Sequence, residues 1–160
     1  MSQPADKSIR LRISSTPRHL PVVRAAVEKL CELAGFDSQA ATSVVLSLDE
    51  ALTNVIRHAY LGAEDQPIDI ELTPLDGPEP AAQASAGPAL CRGIRVVVRD
   101  YGRPVDPARL QPRDLRDVRP GGLGVHIIRQ CMDTVEYRPV EGGGTCLTMQ
   151  KHLPAGDKDG

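Results

Sequence analysis

Aromatic side chains are scarce in this sequence of 160 residues, which contains three Tyr, one Phe and no Trp. A surface that stacks unpaired nucleic-acid bases needs several such rings, so this class of binding protein is disfavoured. The core must instead consist of Leu, Val, Ile and Ala. A large excess of one charge is also lacking, because the formal net charge is -2. This balance points to neither a nucleic-acid partner nor an anionic membrane.

Cysteines with metal or redox spacing are absent too. The four cysteines form no C-x-x-C pair and no Cys/His cluster of zinc spacing. Cys31 and Cys131 lie among apolar residues of helical period, so they are interpreted as small core side chains, with a redox switch as the alternative. No secretory leader opens the chain, and no apolar stretch approaches the length of a membrane span. We therefore expect a cytoplasmic protein with reduced thiols.

Regular apolar patterns cover most of the chain and predict its fold. Alternating residues at 8–14, 68–72, 94–99, 134–138 and 145–151 predict five strands, and apolar residues three or four apart at 17–35, 37–60 and 124–132 predict three helices. This order favours an α+β fold, a two-layer sandwich in which three helices cover one face of a mostly antiparallel sheet. One domain at 8–153 is expected, with disordered ends at 1–7 and 154–160.

Two segments lack such a pattern. Residues 74–88 are rich in Pro, Ala and Gly and are expected to form a long, flexible hairpin connection. Residues 103–120 combine many charges with four prolines. Structureless loops of that length are usually disordered or act as lids over a binding site.

The second predicted helix carries Glu50 and Asn54, which are four residues apart and therefore project from one face. A carboxylate and a carboxamide offer the oxygen ligands that Mg²⁺ prefers when phosphates and water complete its shell. The alternative is the solvated face of an amphipathic helix.

Asp100 follows three valines, at the point where a buried strand reaches the edge of the sheet. An ionised carboxylate only accepts hydrogen bonds, so it suits a donor such as an exocyclic amine. Gly102 leaves room for a flat ring to approach the backbone. The alternative is an ordinary turn, because Asp-x-Gly is common turn chemistry.

A glycine-rich stretch, Gly121 to Gly124, opens the third helix. Backbone N–H groups at a helix start, free of side chains, form an anion site that suits phosphate. The spacing matches neither the dinucleotide fingerprint nor the P-loop. A helix start without a ligand is the alternative.

The order of these motifs along the chain resembles the ATP-binding fold shared by sensor histidine kinases, Hsp90 chaperones, type II topoisomerases and mismatch-repair ATPases. Within that group, four segments are similar to the bacterial anti-sigma factor serine-protein kinases: 46–60 (LSLDEALTNVIRHAY), 96–107 (VVVRDYGRPVDP), 121–133 (GGLGVHIIRQCMD) and 143–151 (GGTCLTMQK). The resemblance extends from about Ile9 to Leu153.

The resemblance implies a role for each matching residue. Glu50 would be the general base that takes the proton from a serine hydroxyl of a partner. Asn54 would hold Mg²⁺ against the phosphates of ATP. Asp100 would accept a hydrogen bond from the adenine amine, with Gly102 beneath the ring and Thr145 supporting Asp100 through its hydroxyl and water.

Four further positions complete the match. Gly122 and Gly124 would border the phosphates under the lid. Arg24 lies where the family carries an arginine that docks its protein partners, and a solvated helix charge is the alternative. His58 fits the pattern and would hold the helix end.

The function implied by the resemblance is that of an enzyme and a binding protein together. The protein would sequester a sigma factor, and with Mg-ATP it would phosphorylate a serine of a STAS-type anti-sigma antagonist. A homodimer without direct nucleic-acid contact is implied as well. The alternative is a regulatory module that binds ATP and protein partners without kinase activity.

One departure from the family pattern falls inside the site. The family often continues as D-x-G-x-G after the aspartate, whereas Pro104 stands here in place of the second glycine. Proline fixes φ and has no N–H group, so the lid is expected to begin more rigidly.

Overall fold

The computed structural model describes residues 7–76, 91–110 and 123–154. The described residues form the helices α1 (Leu20–Ala34), α2 (Ser38–Asn54) and α3 (Leu123–Cys131) and the strands β1 (Ile9–Ser14), β2 (Pro67–Asp76), β3 (Cys91–Asp100), β4 (Thr134–Pro139) and β5 (Thr145–His152). The five strands form one sheet in the order β1-β2-β3-β5-β4, and every neighbouring pair is antiparallel. The predicted α+β fold with three helices and an antiparallel sheet is confirmed.

The sheet has one apolar and one polar face, which explains how the two layers pack. Its inner face carries fully buried side chains such as Ile70, Val96 and Met149, and α1 and α2 pack on it. Burying each of these side chains contributes roughly 1.5–3 kcal/mol. The outer face carries exposed ion pairs such as Arg12 with Asp69, and pairs of this kind add little stability.

Helix α1 begins and ends where the sequence predicts a boundary. Pro17 starts a short 3-10 turn that leads into α1. Gly35 ends the helix with a φ of 90°, a left-handed conformation that glycine adopts without steric cost. None of the described helices is long and apolar enough to cross a membrane.

Helix α2 is shorter than its apolar period predicts. Asp37 caps it, and its carboxylate accepts a hydrogen bond from the Ala40 amide at 2.8 Å. After Asn54 the backbone widens into a π-helical turn, Val55–Ala59, in which the Tyr60 amide donates to the Val55 carbonyl at 3.0 Å. The helical segment therefore ends near Tyr60 as predicted, but the sequence did not indicate the change to i+5 hydrogen bonds, because the apolar spacing continues through it. Turns of this kind are frequent at functional sites.

The flexible connection predicted for 74–88 begins later than expected. Strand β2 continues through Pro74, which lies opposite Ile94, and ends at Asp76. The β1 ladder ends at the pair of Ile9 and Leu72, so Pro74 lies beyond the part of β2 that has two neighbours. A missing N–H donor disturbs such a sheet margin less than a strand centre. The rest of this prediction and those for 1–6 and 155–160 lie outside the described residues.

A turn of three glycines joins β4 to β5 and contacts the end of β3. Gly142, Gly143 and Gly144 all have positive φ, at 90°, 119° and 82°. Gly144 lies so close to the Asp100 carbonyl oxygen that a Cβ would overlap it. The turn therefore depends on glycine for its conformation and, at Gly144, also for space.

We predict that Gly144→Ala lowers the free energy of unfolding by about 3 kcal/mol or more. The energetic cost of the left-handed conformation for alanine and the cost of the overlap with the Asp100 carbonyl both contribute to this loss. Gly142→Ala is the matched control. It has a similar φ but nothing within 4 Å of its Cβ position, so it should cost only about 1 kcal/mol. Urea unfolding of both variants measures the difference, and equal losses would contradict the close contact.

Candidate functional site

A cavity of about 310 Å³ lies between the inner face of the sheet and the C-terminal end of α2. Its floor is a row of directly opposed residues on β3, β5 and β4: Val98, Leu147 and Tyr137. The remaining lining comes from α2 and the turn after it, from the segment after β3, from the start of α3, and from the ends of β3 and β5 (Ala51, Asn54, Val55, His58, Ala59, Leu61, Asp100, Arg103, Pro104, Val105, Asp106, Val125 and Thr145).

Asp100 places a carboxylate at the wall of this cavity. Its side chain is only 3% exposed, and Oδ1 accepts a hydrogen bond from the Gly102 amide at 3.0 Å. Burial raises the pKa of Asp100, while the amides of Gly102 and Thr145 and the Arg99 charge oppose that rise. The cavity therefore offers an inward-facing acceptor that backbone N–H groups hold in place.

Thr145 connects Asp100 with the segment that follows β3. Its backbone N–H supports the Asp100 carboxylate, and its hydroxyl oxygen accepts a hydrogen bond from the Val105 amide at 3.0 Å. The hydroxyl proton is left to donate to a ligand or to water. The sequence did not indicate the contact with Val105, since the two residues are 40 positions apart.

Gly102 lies outside the cavity lining and contacts the π-helical turn instead. A Cβ on Gly102 would overlap the Ala59 carbonyl and come within 2.8 Å of the Tyr60 ring. The Arg103 amide donates to the same carbonyl at 3.0 Å. This glycine therefore permits the chain after β3 to pack against the turn that follows α2.

Gly124 brings the start of α3 against the second helix. A Cβ on Gly124 would lie 2.7 Å from Glu50 Oε2, 3.3 Å from Asn54 Nδ2 and 3.5 Å from Asn54 Oδ1. The tertiary structure thus assembles three of the predicted site residues at one point. Asn54 lines the cavity. Glu50, also on α2, does not line the cavity, and its carboxylate lies against the start of α3.

These residues fit a Mg²⁺ ion that is bound together with a phosphate ligand. Asn54 would supply one oxygen, and Gly124 lets the start of α3 come close to it. Within the described part of the chain, no group of three or more His, Cys, Asp or Glu could hold a metal by itself. The ligand's own oxygens would therefore have to complete the shell.

The remaining predicted positions lie apart from this point. The Arg24 guanidinium makes two contacts with the Asp49 carboxylate, at 2.7 and 2.6 Å, on the surface next to Glu50. His58 lines the cavity as well as belonging to the helix end. Gly122 lies outside the described residues.

Tyr137 is a cavity residue that the motifs did not single out. It faces Leu147 across β4 and β5, so the alternation of β4 alone would have placed it on the inner face. Its hydroxyl oxygen is buried and has no hydrogen-bond partner in the described residues. Burial raises the pKa of Tyr137 to about 12.

Comparison with known protein families identifies the class of this protein. The chain belongs to the histidine kinase-like ATPases, because the model of the "Histidine kinase-like ATPase domain" matches residues 13–151.

Curated relatives of similar length narrow this class. Serine-protein kinase RsbW of Listeria monocytogenes is 26% identical over 148 residues, which cover 88% of this chain and 85% of the relative. Serine-protein kinase RsbW of Halalkalibacterium halodurans is 24% identical over 161 residues, covering 96% and 88%. The predicted resemblance to the serine-protein kinases is confirmed.

A solved structure supports the fold. The RsbU and RsbW domains of Rv1364c from Mycobacterium tuberculosis superpose with a TM-score of 0.58 at 17% identity. The superposition covers 96% of this chain and 34% of that longer chain. At this identity the likeness concerns the fold alone.

We predict that Thr145→Val lowers the free energy of unfolding by about 1–2 kcal/mol, because the partly buried Val105 amide loses its acceptor. Hydrogen exchange at Val105 should accelerate at the same time. Thr148→Val, on the opposite face of the same strand, is the matched control and should change neither quantity. Unchanged exchange at Val105 in Thr145→Val would contradict the role of this hydroxyl.

Proposed function

We propose that this protein is an ATP-dependent serine kinase and anti-sigma factor, which binds a sigma factor and phosphorylates a serine of a STAS-type antagonist. The observation that carries the proposal is the meeting of Glu50, Asn54 and Gly124 at one end of the cavity. In a family of ATPases, this point is where a phosphate chain and an incoming hydroxyl group would come together.

The adenine base occupies the apolar end of the cavity. Asp100 accepts a hydrogen bond from its exocyclic amine, since an ionised carboxylate has no proton to donate. Val98 and Leu147, side by side on the cavity floor, would contact one flat face of the ring. The Thr145 hydroxyl donates to the base or to a water beside it while it accepts from Val105.

The phosphates extend towards the start of α3. Gly124 lets that helix start lie close to Asn54, and Gly122 belongs to the same helix start by sequence. The amides of such a start favour anions. Asn54 holds Mg²⁺ through its carboxamide oxygen, and the ion neutralises phosphate charge when it is bound. Phosphoryl transfer depends mostly on such positioning and charge stabilisation.

Glu50 accepts the proton of the attacking serine hydroxyl. It is half-buried next to the start of α3 and does not line the cavity, so the serine of the partner would approach it at this point. A general base in this position raises the nucleophilicity of the serine oxygen. A carboxylate is needed for this step but not for nucleotide binding, which argues against a module that only binds ATP.

Arg24 marks the partner surface in this proposal. Its ion pair with Asp49 lies one residue from Glu50, so a partner that contacts Arg24 brings its own groups close to the base. Sigma factor and antagonist would compete for this surface of a cytoplasmic homodimer.

We predict that Glu50→Gln abolishes phosphate transfer to the antagonist while ATP affinity stays within about twofold, because the amide keeps the shape but cannot accept the proton. Transfer is measured with radiolabelled ATP and binding by calorimetry. The matched control is Glu32→Gln, which removes an exposed carboxylate paired with Lys29 and should leave both quantities unchanged. Transfer by Glu50→Gln at the wild-type rate would contradict the role of Glu50 as the base, whereas a wild-type protein that binds ATP without transfer would favour a binding module.

We also predict that adenosine affinity falls on acidification, and that the fall begins at a higher pH than an exposed aspartate would give. Burial raises the pKa of Asp100 above its ordinary value of 3.8, so proton uptake weakens the acceptor at a higher pH than for an exposed aspartate. Adenosine is chosen because it has no phosphate that titrates on acidification. In Asp100→Asn, adenosine binding should be weaker at pH 8 and independent of pH. A wild-type affinity with the same dependence on pH as that of Asp100→Asn would contradict the prediction.

A further inference from the structure

Tyr137 lies on the edge strand β4, at the end of the row that forms the cavity floor. Leu147 separates it from Val98 in this row. Asp100 lies two residues after Val98 on β3, and Thr145 lies two residues before Leu147 on β5. Both are on the same face of the sheet as the row. Side chains on one face of neighbouring strands share one surface. The tyrosine ring therefore belongs to the surface on which a bound base would rest.

The hydroxyl group of Tyr137 is the unusual part of this surface. Its oxygen is buried but makes no hydrogen bond within the described residues. Buried polar groups are nearly always paired, and each unpaired one lowers the stability of the protein. Phenylalanine would fill the same space without this cost. The unpaired hydroxyl thus points to a partner that arrives with the ligand.

The hydroxyl group has a proton to donate to such a ligand under neutral conditions. Its high pKa of about 12 keeps the proton on the oxygen. The positive charge of Arg129 on α3 lowers the pKa of Tyr137, but burial raises it by more. A donor on the floor complements Asp100, which can only accept.

We infer that Tyr137 is a base-recognition residue, whose hydroxyl donates a hydrogen bond to a ring nitrogen of the bound purine, directly or through one water. The inference rests on nucleotide binding in this cavity, as proposed above. Asp100 selects the exocyclic amine, and Tyr137 selects an unprotonated ring nitrogen. A small rotation of the Tyr137 ring when the ligand enters would bring its hydroxyl to the base. A water that bridges the hydroxyl and the ring nitrogen would make the same connection.

The test compares the affinities of Tyr137→Phe and the wild-type protein for Mg-ATP by calorimetry. The variant should bind about three- to tenfold more weakly, which is the range expected for one neutral hydrogen bond. Its melting temperature without nucleotide should be equal or higher, because an unpaired buried hydroxyl has been removed. The matched control is Tyr101→Phe, which removes an exposed hydroxyl that donates to Asp69 outside the cavity and should leave the affinity unchanged.

ATP analogues identify the acceptor atom. The analogues 1-deaza-, 3-deaza- and 7-deaza-ATP each replace one ring nitrogen by carbon. For one of them, the wild type should lose as much affinity as Tyr137→Phe loses with ATP, and the variant should lose nothing further. Equal losses in both proteins for all three analogues would overturn the inference.

Two other outcomes are equally decisive. Wild-type affinity of Tyr137→Phe for ATP, or a loss of affinity together with a lower melting temperature, would overturn the role of Tyr137 and leave the proposed kinase function intact. Failure of the wild-type protein to bind ATP at all would overturn the proposed function itself.

Discussion

The carboxylate of Asp100 lies inside an otherwise apolar layer, and much of the surrounding structure serves to keep it there. A buried charge without partners would be costly, and here the amides of Gly102 and Thr145 supply the hydrogen bonds. For both amides to reach one carboxylate, β5 must approach the end of β3 closely. Gly144 permits this approach, because any side chain at that position would overlap the Asp100 carbonyl.

Close backbone contacts without side chains recur around the cavity. Gly102 packs on Ala59 in the π-helical turn, and Gly124 packs on Glu50 and Asn54. The first contact fixes the segment after β3 against the helical layer, and the second fixes the start of α3 against α2. These contacts fix the margins of the cavity between the two layers.

In the proposed function, this arrangement would separate nucleotide binding from catalysis. Asp100, Thr145 and the floor residues form a mostly apolar surface of the cavity, and Asn54 lies with Gly124 at the start of α3. Glu50 contacts the same helix start but does not line the cavity. Such a site would hold its ligand in the interior and react with a partner at the surface. The Val105 amide, next to Pro104, donates a hydrogen bond to Thr145, which restrains the segment after β3.

The sequence by itself determined the five strands and the three helices, because apolar periodicity is a local property of the chain, and motif order predicted the residues of the candidate site. It did not reveal the π-helical turn, since the spacing of apolar residues continues unchanged while the hydrogen bonds shift. Nor did it reveal that Gly102 contacts Ala59 rather than the cavity, or that Tyr137 completes the floor. Only the tertiary structure decided these points, because they depend on distances between segments that are far apart along the chain and carry no signature in either segment alone.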